Sequence, residues 1–200
     1  MTMEPPPART SPALEAYFAG LTPTARRERT DWVARLRLTS YVTDAVPPTE
    51  HVRSVRCVAF RGRSVLALRD AVGAHILPGG RREAGETLAR TLERELLEET
   101  GWTVSAPRVI GVVRLSWLQE RPAHLPAGSP YYPDFLWLIH TAEVDAHRPE
   151  ALLHEPGEGV PVFLPLSEPA TAAELEASTW APENRVFLPA ALRRRPARRG

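Results

Sequence analysis

The residues most able to do chemistry lie between Gly80 and Trp102, in the run GRREAGETLARTLERELLEETGW. Residues 87–100 read as a helix, with Gly101 standing where a C-terminal glycine stop belongs. At 100° per residue, with Glu95 set at zero, Glu99 falls at about +40° and Glu98 at about −60°. Three carboxylates thus share one arc of roughly 100°. Leu88, Leu92 and Leu96 follow at about +20°, +60° and +100°, so the acidic arc merges with the apolar one at the edge of the core. Glu95 and Glu99 form an i,i+4 like-charge pair, which alone destabilises a helix. They also sit in the second half, where the macrodipole disfavours negative charge, while Arg90 and Arg94 come earlier. A bound cation is the simplest offset, since hard divalent ions prefer such oxygen ligands. Arg94 can pair with Glu98 or with Glu86. Upstream, Pro78-Gly79-Gly80 allows a tight turn that brings a carbonyl oxygen near the same cation. The competing reading is a salt-bridged, solvent-facing Arg/Glu helix.

The segment resembles the Nudix box: a glycine, five residues, glutamate, seven residues, then Arg-Glu-aliphatic-any-Glu-Glu-any-Gly-aliphatic. Gly80, Glu86, Arg94, Glu95, Leu96, Glu98, Glu99 and Gly101 match, and Trp102 departs in the last, aliphatic place. The motif spans 23 of 200 residues. The resemblance implies a pyrophosphohydrolase that cleaves a phosphoanhydride bond of a nucleoside diphosphate derivative or nucleoside triphosphate by metal-activated water. It implies Glu95, Glu98 and Glu99 as ligands of magnesium (manganese in its place), with the Gly80 carbonyl as a backbone ligand. Arg94 would orient a glutamate and Glu86 would support the box. Members of the family often add a carboxylate from a loop, and Glu155 and Glu158 are the candidates; both also read as plain loop surface. The expected partner is a nucleotide or nucleoside diphosphate-linked small molecule. Secondary signatures for coenzyme A, ADP-ribose and NADH substrates are absent, which names no alternative. Two rival readings are a Nudix-fold binding module that has lost catalysis and a nucleic-acid-associated protein. Intact box acids weigh against the first, and the net charge of +1 weighs against the second.

The elements that must position this helix read as an α/β fold, a Nudix-type α/β/α sandwich with a mixed β-sheet, plus a helical N-terminal arm. Residues 1–48 divide into a disordered start (1–10), a short helix capped by Ser11 and ended by Gly20, and a second helix from Thr22-Pro23 to about Ser40. Its arginines (Arg26, Arg27, Arg29, Arg35, Arg37) read as a solvated face, or as a contact between two copies in a homodimer, or as a phosphate-facing patch. Residues 49–180 form the Nudix hydrolase domain, with strands expected at 52–60, 64–69, 75–77, 108–117, 134–144 and 159–166, and a helix at 171–178. Residues 181–200 hold a helical piece broken by Pro189 and a basic tail of Arg193, Arg194, Arg195, Arg198 and Arg199. Residues 119–133 read as a long loop. Of the aromatics there, Phe135 reads as core, while Tyr131 and Tyr132 could serve core or base stacking.

All 25 basic residues are arginine, as genome-wide base-composition bias also produces. The single cysteine, Cys57, reads as a buried strand position and fits a reducing compartment. The proline-rich start lacks a signal peptide, and no segment has the length of a transmembrane helix, so the expectation is a cytoplasmic protein without membrane or nucleic-acid partners. The six histidines show no zinc-ligand spacing.

Overall fold

A computed structural model describes residues 10–31, 34–153 and 159–195. The helix α1 (Pro12–Ala19) begins where Ser11 Oγ accepts from the Leu14 N–H, with proline in the first turn, and stops at Gly20. The sheet comprises β1 (Ala25–Asp31), β2 (Ala34–Val42), β3 (Val52–Arg61), β4 (Ser64–Arg69), β5 (Ala74–His75), β6 (Gly79–Arg81), β7 (Trp102–Trp117), β8 (Asp134–His147) and β9 (Val160–Pro165). The other helices are α2 (Leu88–Thr100), α3 (Pro169–Ala177) and α4 (Ala181–Arg194). Strand order runs β1-β2-β7-β8-β3-β4-β5, with β6 on β3 and β9 on β4. The β3–β8 pair is parallel and the others are antiparallel, so the sheet is mixed.

Alternate side chains of the strands fill two cores, one on each face. Leu14 and Phe18 of α1 and Leu92 and Leu96 of α2 pack on one face with Val55, Cys57, Ala59, Leu136 and Leu138. Leu175 of α3 and Val186, Phe187 and Ala191 of α4 pack on the other with Val58, Phe60, Val113 and Ile139. Helices therefore cover both faces of the sheet, the sandwich expected. Cys57 is buried and free, and burial pushes its thiol pKa up.

Three expectations need correction. The second helix to Ser40 is instead the β1–β2 hairpin, and β2 pairs with β7 from Leu36↔Trp117 to Val42↔Gly111. Arg35-Leu36-Arg37-Leu38 alternates with period two, and Leu36 and Leu38 enter the core while Arg35 does not. The arm is helical only in α1, and its second half extends the main sheet. Gly79 to Arg81 does not merely stop a strand: it pairs with Ser54 to Arg56 as β6. Finally, α4 runs through Pro189 unbroken. Pro189 and Arg185 are exposed, so the carbonyl that loses its partner faces water. Residues 1–9, Trp32, Val33, Arg198 and Arg199 lie outside the described residues.

One polar knot fixes α1 to the sheet. Asp134 accepts from Arg114 Nε (2.9 Å) and Nη2 (3.0 Å), Ser116 Oγ (2.5 Å) and Thr10 Oγ1 (2.5 Å). Burial raises the Asp134 pKa, but the Arg114, Ser116 and Thr10 hydrogen bonds outweigh it, and the carboxyl titrates below its ordinary range. A depressed folded pKa gives stability that is complete above the unfolded value of about 3.9 and lost as pH falls through the folded value. Asp134→Asn should therefore be less stable than the parent at pH 7, with the gap narrowing as pH falls below about 4. Urea midpoints measured from pH 7 to pH 2.5 check this, and a gap constant with pH would refute it.

Candidate active site

The helix α2 starts at Thr87, whose side chain accepts from the Arg90 N–H, and ends at Gly101 in the left-handed region, φ 69°. Its apolar stripe buries Leu92 and Leu96, and this sets the rotation of the helix. The carboxylates beside that stripe are consequently half-covered. Glu95 retains 13% of its side-chain exposure and Glu98 34%.

Arg94 organises the group. Its Nε and Nη2 donate to Glu86 Oε1 (2.7 Å) and Oε2 (3.0 Å) as a two-pronged clamp. The same Nη1 donates to Glu95 Oε1 and Glu98 Oε2, each at 2.9 Å, and Nη2 also reaches the Arg81 carbonyl at 3.0 Å. Both pairings foreseen for Arg94 form at once, with Glu95 added. A guanidinium suits this because its donors are fixed in one plane. The Glu86 carboxylate further accepts from the Glu83 N–H and the Thr91 hydroxyl. Arg94 first, then the Glu83 N–H, pull its pKa down to about 2. For Glu95, burial pushes the pKa up and Arg94 pulls against it, leaving it raised.

Opposite α2, β6 delivers the glycines. Glu99 Oε2 accepts from the Gly79 N–H at 2.7 Å. The Gly80 carbonyl accepts from Ser54 Oγ at 2.8 Å. A Cβ on Gly80 would lie 2.1 Å from Glu95 Oε2, so the bare Cα makes the space that this carboxylate fills. Gly80→Ala should lower turnover by about a hundredfold, since the carboxylate must swing away. It should shift folding stability by less than about 1 kcal/mol, because only the end of a flexible side chain is displaced. Parallel kcat and urea measurements check both halves, and full activity in a stable variant would contradict the placement.

Gly80, Arg94, Glu95, Glu98 and Glu99 line one cleft of about 610 Å³, with Arg56, Tyr131 and Leu153 on other walls. Glu86 stands behind Arg94 and does not line the cleft. Among the described residues no three Asp, Glu, His or Cys side chains form a ready metal cage. Arg94 lies between Glu95 and Glu98, and Glu99 is turned to the Gly79 N–H. Even so, the donors are all oxygens, and the bare Cα of Gly80 admits the Glu95 carboxylate beside the turn. That set fits a hard divalent cation.

Glu155 and Glu158 lie outside the described residues; Leu153, just before them, donates its N–H to the Glu98 carbonyl (2.7 Å). Tyr131 reaches the cleft wall, and its ring meets Phe135 edge-on at 5.3 Å. Tyr132 points elsewhere, near Trp117 at 6.3 Å. Phe135 packs against the core as expected. Arg56 carries no motif and stands in an apolar strand, so the sequence alone does not single it out.

The site thus sits on a mixed sheet between two helical layers, an α/β/α sandwich with clustered carboxylates and a glycine turn at one cleft. The NUDIX domain family model matches residues 50–191, and the chain belongs to the Nudix hydrolase family, whose enzymes act on phosphoanhydrides. Among solved structures it is similar to a Nudix hydrolase from Nitrosomonas europaea, at 17% identity and TM-score 0.53, covering 71% of this chain and 89% of that one. It is also similar to a pyrophosphohydrolase from Bacillus subtilis, at 17% identity and TM-score 0.53, covering 82% and 96%. At such identity these likenesses speak for the fold. No curated protein matches the sequence. Among the described residues no helix is long and apolar enough to cross a membrane.

Proposed function

We propose that this protein hydrolyses a phosphoanhydride bond in a nucleoside diphosphate derivative or nucleoside triphosphate, using magnesium or manganese held by Glu95, Glu98, Glu99 and the Gly80 carbonyl. The observation that carries the reading is the gathering of all four on one cleft beside a clamped arginine. A divalent cation held there supplies charge neutralisation for the diphosphate and a lowered pKa for the attacking water.

The chain's own residues do the rest. Glu98, the most open of the three acids on Arg94, is the acceptor for the proton of the attacking water. Arg94 holds Glu98 and Glu95 in register, and Glu86 anchors Arg94 from behind. Glu86 is thus a positioning residue, with its pKa near 2 keeping it charged across the working range. Glu155 and Glu158 remain candidates for an added carboxylate. Tyr131 offers an aromatic face on the cleft wall for a base. The N-terminal hairpin supports the sheet, and the protein works in the cytoplasm.

A panel of nucleoside triphosphates, nucleotide sugars, dinucleoside polyphosphates and ADP-ribose, assayed with magnesium and with both products identified, tests the proposal. Release of a nucleoside monophosphate from at least one member is expected. No phosphate-bond cleavage in any member, with either magnesium or manganese, would refute it.

A further inference from the structure

Arg56 stands on β3 where the strand pairs with Gly79 of β6, directly across from the glycine turn. Its guanidinium lies against two indole rings, 5.0 Å from the Trp137 centroid and 4.7 Å from that of Trp180. The two rings are themselves stacked at 5.5 Å, and His75 stacks on Trp180 at 4.8 Å. Aromatic faces hold a guanidinium flat and occupy its faces, leaving its N–H edge for oxygen acceptors. A guanidinium has five N–H donors. One, on Nη1, goes to the Leu77 carbonyl at 2.9 Å. The Nε is buried and has no hydrogen-bond partner among the described residues.

A buried, unpartnered donor on a charged group is costly unless something fills it. Arg56 lines the same cleft as Glu95, Glu98 and Glu99. Burial lowers the Arg56 pKa from its ordinary value, and the negative charges of Glu99 and Glu95 work against that. Of the four arginines that line the cleft, Arg94 is spent on the carboxylates, Arg81 and Arg82 stand beside the glycine turn, and Arg56 is the one held against aromatic rings. A diphosphate neutralised in part by a divalent cation at the carboxylates would still carry oxygens that call for N–H donors.

We propose that Arg56 is a substrate-binding residue, donating from its guanidinium edge to a phosphate oxygen of the bound diphosphate. This deepens the phosphoanhydride reading and rests on it. Trp137 and Trp180 act as positioning residues that hold the guanidinium plane. The ligand class is a diphosphate, whatever group is attached to it, because the contact is with phosphate oxygen.

The test uses the full chain, manganese and imidodiphosphate, a diphosphate that resists hydrolysis. Manganese affinity is measured first, by titration with the metal alone, and imidodiphosphate affinity second, by calorimetry in saturating manganese. Arg56→Gln should weaken imidodiphosphate binding on the order of ten- to a hundredfold, the worth of a charged hydrogen bond. Its manganese affinity should stay within about threefold, less than half a tenfold free-energy step. Arg56→Lys keeps the charge without the flat edge and should fall between the two. In the parent protein, the Arg56 Nε–H NMR resonance should move when imidodiphosphate is added, a measurement that needs no variant to fold. A still resonance, or unchanged imidodiphosphate affinity in a folded Arg56→Gln, overturns the role of Arg56 alone. A parent protein that binds no manganese overturns the metal-site reading beneath it.

Discussion

Glu98→Gln should cut magnesium-dependent turnover by about a hundred- to ten-thousandfold, the usual worth of a positioned proton acceptor. The amide is nearly the same shape as the carboxylate. Its carbonyl oxygen can still accept from Arg94 Nη1, now at 2.9 Å from Glu98 Oε2. What it loses is the negative charge and the basic oxygen. Stability should hold or rise slightly, because Glu98 is a third exposed and one of several acids crowding the end of α2. Far-ultraviolet circular dichroism and a urea midpoint establish that the variant is folded, and initial rates with magnesium give kcat. The control is Glu93→Gln on the same helix. Glu93 is 61% exposed and pairs with Arg90 at 3.4 Å, so its loss should leave turnover within about twofold. Equal turnover in parent and Glu98→Gln would remove Glu98 from the chemistry.

The contrast between these two glutamates explains why the candidate site is legible in the sequence. Helical periodicity, the glycine stop at Gly101 and the leucine stripe fix which carboxylates sit beside the core, and those constraints are local. The strands from β3 onward, β6 apart, are legible for the same reason, as runs of apolar residues between turn residues. Other features depended on partners distant in sequence. Arg56 reads as one polar residue in an apolar strand, and only Trp137 and Trp180, brought alongside by the fold, show what it faces. Arg195 reads as part of a basic tail. In the structure it pairs with Glu143, donates to the Gly62 carbonyl at 2.7 Å and covers the Phe60 ring. The hairpin β1–β2 reads as a helix in the sequence because Thr22-Pro23 repeats the start signal of α1, after which the arginines fall on a solvated face. The period-two pattern in Arg35 to Leu38 was present, but β1 itself, Ala25 to Asp31, has no apolar alternation to announce a strand. It is an edge strand, and charged residues there protect an unpaired edge from pairing with other chains.

One of those arginines is nevertheless an internal fastener. Arg27 donates from Nε to Glu183 Oε1 (2.8 Å) and from Nη2 to Glu183 Oε2 (2.9 Å). Glu183 retains only 1% of its side-chain exposure and sits in the first turn of α4, where the helix dipole favours a negative charge. The pair ties the edge hairpin to the helix that covers that face of the sheet. Arg27→Met should destabilise the fold by about 3–5 kcal/mol, because it strands a carboxylate in a dry site. That is a large part of the roughly 5–15 kcal/mol that holds a typical domain together. The double variant Arg27→Met, Glu183→Met removes both charges and should recover most of the loss, since a buried pair replaced by apolar groups of similar size is often neutral or better. Urea denaturation of the parent, the two single variants and the double variant gives the coupling directly. A cost below about 1 kcal/mol for Arg27→Met would class the pair with ordinary surface bridges and return the hairpin to a passive edge.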